Sequence, residues 1–164
     1  MFYRDLEPYR YGVQTELKDV VTVGWLSKVS SYPQGHPTAE LVGALERLLS
    51  SHRVHQTRGY HACEFCSKSP LAYGCTKLEQ LAYETQLHET QSGKKVLLGS
   101  AEIWVPALGQ TVIYAAPDLI YHYVKEHRYL PPAEFIDVVL SARDSRDWDA
   151  NTECEKRLEA GFRT

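Results

Sequence analysis

Two thiols and two imidazoles carry the clearest chemistry in this sequence. Cys63 and Cys66 form C-x-x-C inside HACEFC (61–66). A turn of that length aims two thiolates at one point. His122 and His127 form H-x4-H, within the H-x3–5-H spacing of structural zinc sites. Zinc takes four Cys and His ligands in a tetrahedron, so these four residues make a complete set. The competing reading of the thiol pair is a redox dithiol, which needs a helix N-terminus to lower a thiol pKa. Ser67, Lys68, Ser69, Pro70 and Gly74 follow the pair, which is the composition of a loop. Two substitutes stay open: His61, two residues before Cys63, and Cys75, nine after Cys66. If His61 is not a ligand, it is a neighbour that supports one. The bland alternatives are reduced thiols without a role, a core histidine bonded to a carbonyl, and a His127 held by a helix C-terminal dipole.

Distant elements must bring this set together. Val20–Leu26 is rich in β-branched residues and reads as a strand, with Gly24 as a bulge. SSYPQG (30–35) is loop. His36-Pro37-Thr38 opens a helix with Pro37 in its first turn, and Leu41, Leu45, Leu48 and Leu49 mark the buried face. Residues 51–57 read as a polar linker. Residues 76–95 fit either a surface helix or a partly ordered insertion. A hairpin follows, with Val96–Val105 as one arm, Pro106–Gly109 as the turn and Thr111–Tyr114 as the other arm. In the first arm Ala101, Ile103 and Val105 alternate with Glu102 and Trp104.

The second half of the site lies in APDLIYHYVKEHRYLPP (116–132). Pro117 fits a helix start, Asp118 suits the positive end of its dipole, and Pro131 ends the helix near residue 128. On an ideal wheel with Leu119 at zero, His122 falls near about −60° and His127 near about 80°, both on or beside the buried arc. Tyr121, Lys125 and Arg128 point the other way. A separation of about 140° is too wide for one ion, so the last turn must tighten or fray. Pro132 opens a further helix with Phe135, Ile136, Val139 and Leu140 inward. Thr152-x-x-Glu155 resembles a capping box for a short last helix stopped by Gly161.

The chain has 164 residues, 43% hydrophobic and 24% charged, the size and balance of one globular domain. Four cysteines and no signal-peptide core point to a reducing, cytoplasmic compartment rather than a disulfide-stapled secreted protein. No run is long and apolar enough for a membrane span. The net charge of −3 disfavours broad nucleic-acid binding, although Arg53, Arg58, Lys68, Lys94 and Lys95 flank the knuckle, near Tyr60, Phe65 and Trp104. H-E-x-x-H, G-x-S-x-G, a P-loop and the deaminase ordering of H-x-E and P-C-x-x-C do not occur. A catalytic zinc keeps an open position, and four protein ligands fill it. His61, Glu64 and Glu102 are the groups an acid–base alternative would use.

Four segments together resemble an uncharacterised family of small bacterial zinc-binding proteins: VGWL (23–26), RGYHACEFC (58–66), LGSAEIWV (98–105) and YAAPDLIYHYVKEHRYLPPAEFI (114–136). The resemblance implies a zinc site and an α+β layout and says little about the task. The expectation is a single α+β domain with a small antiparallel sheet or hairpin and several helices. A structural zinc on Cys63, Cys66, His122 and His127 staples residues 1–142, and residues 143–164 form a charged extension with a short helix. The expected role is a non-enzymatic interaction module for another protein, such as a toxin neutraliser or adaptor. The alternatives are a zinc-dependent hydrolase or nuclease, and a nucleic-acid-binding knuckle.

Overall fold

Continuous apolar stretches in the centre of the chain build a sheet that is covered on both faces. The computed structural model describes residues 2–11, 15–57, 60–66, 86–91, 93–107, 109, 111–142 and 148–161. The strands are β1 (Pro8–Tyr11), β2 (Thr15–Thr22), β3 (Arg53–Val54), β4 (Leu87–Glu89), β5 (Lys95–Leu97), β6 (Glu102–Pro106) and β7 (Ile113–Pro117). The helices are α1 (Ala39–Ser51), α2 (Ile120–His127), α3 (Ala133–Ser141) and α4 (Ala150–Gly161). Five strands pair in the order β1-β2-β7-β6-β3, and β4 pairs with β5 in a separate hairpin. The α+β class holds, but the sheet is mixed rather than antiparallel throughout, because β2 runs parallel to β7.

The β6–β7 hairpin forms in the register Glu102↔Pro117 through Pro106↔Ile113. Ile103, Val105, Tyr114 and Ala116 face a core shared with α1, α2 and α3. Trp104, Ile113 and Ala115 face the other way, onto Tyr9, Leu17, Val20 and the Ala150 and Cys154 positions of α4. The sequence pattern puts Glu102 and Trp104 on an outer face. Both are buried, because a sheet covered on two sides needs no alternation of apolar and polar residues.

Several boundaries differ from expectation for local reasons. The strand expected at Val20–Leu26 is β2, which ends at Thr22. Gly24 is not a bulge but the point where the chain leaves the sheet, at φ +74°, with Ile120 and Tyr129 lying where a side chain would go. The linker expected at 51–57 contains β3, which pairs with β6. Val96–Val105 is not one arm but two strands, β5 and β6, broken around Gly99. Of residues 76–95, those up to 85 lie outside the described residues, and the rest holds the β4–β5 hairpin instead of a helix.

Helix ends follow side-chain chemistry. Thr38 caps α1, its Oγ1 accepting from the Leu41 N–H at 3.1 Å, worth about 1 kcal/mol. Pro37 therefore sits just ahead of the cap rather than in the first turn. Leu41, Leu45, Leu48 and Leu49 are buried, each contributing about 1.5–3 kcal/mol. Asp149, not Thr152, caps α4: its carboxylate accepts from the Thr152 N–H at 2.7 Å. The chain contains no described helix long and apolar enough to cross a membrane.

Candidate metal centre

The knuckle hangs from the broken β5–β6 junction. The His61 N–H donates to Gly99 O at 2.7 Å. Gln86, 1% exposed, completes the attachment. Its Oε1 accepts from the Cys63 N–H at 2.7 Å, and its Nε2 donates to Leu98 O at 2.8 Å and His61 O at 3.0 Å. On the outer side, Glu64 Oε2 accepts from Ser27 Oγ at 3.0 Å and the Lys28 N–H at 2.9 Å. Partial burial works against its charge, yet these donors hold the Glu64 carboxyl below the usual carboxylate range. Gly99 adopts φ +102°, and an added Cβ would run into His61 O and lie 2.7 Å from Gln86 Nε2. Gly99→Ala is expected to cost about 1–3 kcal/mol and to weaken metal binding by displacing the knuckle. Gly43→Ala, in open space on α1, is the control and should leave both unchanged or raise stability slightly. Thermal melts with a parallel metal titration separate the two outcomes.

The histidines ride on α2, whose Ile120, Tyr121, His122, Tyr123 and Val124 are all buried. Its last turn neither tightens nor frays. Arg128 takes a left-handed conformation at φ 56°, and its N–H reaches back five residues to Tyr123 O. The Tyr129 N–H donates to the same oxygen at 3.1 Å. This i→i+5 closure adds a residue to the turn and brings His127 back over His122. Residues 33–35 clamp the exit: Gly35 N–H donates to Arg128 O and Leu130 N–H to Pro33 O, both at 3.0 Å. Tyr121 does not face solvent as the wheel suggests. The β4–β5 hairpin covers it, with the His88 ring 4.4 Å away.

These two supports bring Cys63, Cys66, His122 and His127 together, with one ligand atom from each and all four atoms within 4.8 Å of one another. Cys66 Sγ lies 3.2 Å from both His122 Nε2 and His127 Nε2, and Cys63 Sγ lies 3.3 Å from His127 Nε2. The two Nε2 atoms are 3.1 Å apart. A tetrahedral ion with ordinary zinc bond lengths sets S···N edges of about 3.6 Å and an N···N edge of about 3.3 Å. These four edges are slightly shorter than the ideal ones, and small outward movements suit them to an ion. Phe65 packs 5.3 Å from the His127 ring and 5.8 Å from Tyr123, closing the site from the side. Burial, and then the neighbouring His127, lower His122 to a pKa of about 4, which keeps its ring in the neutral, ligating form. Burial pushes the Cys63 thiol up, so a cation must displace its proton. These four residues could hold a metal ion.

The other candidates fall elsewhere. His61 is not part of the cluster and lines a separate cleft. Cys75 lies outside the described residues. Cys154 is on α4, beyond the far face of the sheet. That cleft, about 580 Å³, is lined by Tyr9, Trp25, His55, His61, Glu102 and Asp118 among others. Asp118 does not serve the α2 dipole. Its carboxylate takes Arg53 Nε at 3.1 Å and Nη2 at 2.9 Å, and the Gly99 N–H at 2.6 Å. Pro117 ends β7 instead of opening α2. Sequence reasoning passed over His55, because the segment holding it carries no periodic signal, and placed Arg53 only among the cations flanking the knuckle. The only hint was the polar character of residues 52–58 between two apolar runs.

No curated protein and no solved structure matches the chain. A family model described as a domain of unknown function, DUF7919, matches residues 1–140, from the N-terminal segment into α3 and across all four residues of the cluster. The chain belongs to this DUF7919 family.

Proposed function

We propose that Cys63, Cys66, His122 and His127 hold one structural Zn2+, and that the domain it staples is a non-enzymatic interaction module. The carrying observation is the convergence of both Nε2 atoms and Cys66 Sγ within 3.1–3.2 Å of one another, from elements 56 or more residues apart in sequence. Two thiolates and two imidazoles in a compact tetrahedral group favour zinc over hard cations. Four protein ligands leave no vacancy for a reacting water, so the metal's task is to fasten the knuckle to α2. A stapled surface of this kind suits a protein partner, and a toxin neutraliser or adaptor in a reducing cytoplasm fits that reading. The net charge of −3 weighs against a nucleic acid.

Zinc titration of the metal-free chain at pH 7.5 tests the site. Calorimetry in buffers of different ionisation enthalpy should give one zinc per chain and release of about two protons, both from thiols, since the imidazoles are already neutral. Zinc uptake without proton release would remove the thiolates from the ligand set. The module reading requires a partner captured from the host to rebind as a purified protein with Kd below about 10 μM. Turnover of a substrate that depends on the zinc ion would overturn it.

A further inference from the structure

The 580 Å³ cleft beside β6 has a built electrostatic floor that the metal centre does not use. Glu102 is 8% exposed. Its Oε1 accepts from Tyr9 Oη at 2.7 Å and faces His55 Nδ1 at 3.4 Å, while Oε2 accepts from Trp104 Nε1 at 2.9 Å. Both oxygens accept, which is the pattern of the carboxylate anion. Burial, with the Glu102 charge beside it, pushes the Tyr9 phenol far up, so Tyr9 stays a donor. Arg53 is committed to Asp118, and among the described residues Glu102 has no Lys or Arg partner. Among the described residues, the Glu102 carboxylate thus meets the cleft with hydrogen-bond donors and no Lys or Arg partner.

Trp25, half-buried, is the aromatic wall, with the buried Tyr9 ring behind it at a centroid distance of 6.1 Å. Trp25 is fixed by its Nε1 donating to Ala115 O at 3.1 Å and by the edge of Tyr3 at 5.7 Å. Leu26 and Leu119 add apolar surface. Aromatic faces beside a desolvated carboxylate attract organic cations, through the ring quadrupole and through charge. The volume falls within the 300–1,000 Å³ range of small-molecule sites. A hard metal ion would want six or more oxygens. Among the described residues, no second group of histidines and carboxylates converges as the Cys/His cluster does.

We propose that this cleft binds a small organic cation, with an ammonium or amidinium group toward Glu102 and its carbon skeleton on Trp25. This goes beyond the metal reading and does not depend on which ion the cluster holds. The probe is benzylammonium, compared with benzyl alcohol and benzoate. Binding to the purified full chain is followed by calorimetry and by the Trp25 indole N–H resonance, assigned with Trp25→Phe. The working pH is 8. Benzylammonium should saturate below about 10 mM, bind at least about tenfold more tightly than benzyl alcohol, and shift the Trp25 resonance, while benzoate does not bind. Glu102→Gln should bring the amine and the alcohol to equal affinity. Benzyl alcohol matching the amine, benzoate binding better than either, or no saturation by the amine at about 10 mM would each overturn the proposal. The three ligands are compared on the parent chain, so they decide the question even if Glu102→Gln does not fold.

Discussion

Chelating the proposed metal is expected to lower the melting temperature by about 8–16 °C and to release residues 60–66 and 120–130 to hydrogen exchange. The size follows from mass action. A ligand present at about a thousand times its Kd stabilises the folded state by about 4.1 kcal/mol. For a chain of this length each kcal/mol moves the melting point by about 2–4 °C. Zinc-finger peptides gain more, about 10–16 kcal/mol, because they have no other core. Here α1, α3 and the sheet keep a core of buried Leu41, Leu45, Ile103, Val105 and Phe135, so the loss is partial rather than total. Cys63→Ser and His122→Ala should reproduce the chelated melt and no longer respond to zinc. Cys154→Ser should still bind one zinc, because its thiol lies across the sheet. If chelated and loaded protein melt together, or Cys63→Ser retains its metal, the staple does not exist.

The four-residue cluster was legible because spacing encodes it. C-x-x-C and H-x4-H each state a local turn geometry that survives whatever else the chain does. What spacing cannot state is how two local turns meet. The widened end of α2 depends on Arg128 adopting a left-handed conformation and on residues 33–35 gripping residues 128–130. Neither is written in the helix itself. The central hairpin was legible for a similar reason, since the alternation through Ile103 and Val105 is a local signal, although Pro106 ends β6 and pairs with Ile113 instead of opening the turn. Its second face is buried against the pattern because α4 and Tyr9 cover it, and that cover comes from the two ends of the chain. Pro117 and Asp118 show the limit most clearly. Their residue types suit a helix start, but Pro117 finds a place at the end of a strand, where β6 pairs with it. Asp118 finds a better partner in a guanidinium 65 residues away. Tertiary partners outrank local propensity wherever a buried charge must be matched.

Asp118→Ala is accordingly expected to cost about 3–5 kcal/mol, with the value near the lower end. The Asp118 side chain is fully buried and the Arg53 side chain is 18% exposed, so removing the carboxylate leaves a largely desolvated cation. The loss also orphans the Gly99 N–H and loosens Arg53 Nη2, which donates to Leu97 O at 3.1 Å and Ser100 Oγ at 3.2 Å. That junction carries the knuckle, so metal affinity should fall with stability. The pH dependence has a definite sign. Burial raises the Asp118 pKa to about 6, with the Gly99 N–H and Arg53 pulling it back toward its ordinary 3.8. A carboxyl that holds its proton more tightly when folded favours the fold most fully below pH 3.8, and that contribution is lost as pH rises through 6. Between those limits the parent should lose stability from this group, whereas Asp118→Asn should show no such change. Asp118→Asn keeps an acceptor for Gly99 and should therefore be milder than Asp118→Ala. Arg53→Met combined with Asp118→Leu should recover most of the stability, since the cost lies in the unmatched charge rather than in losing the pair. Urea unfolding at pH 4, 5 and 7 measures all four chains. An Asp118→Ala variant within about 1 kcal/mol of the parent, or a double variant no more stable than Asp118→Ala, would show that the pair does not hold this junction.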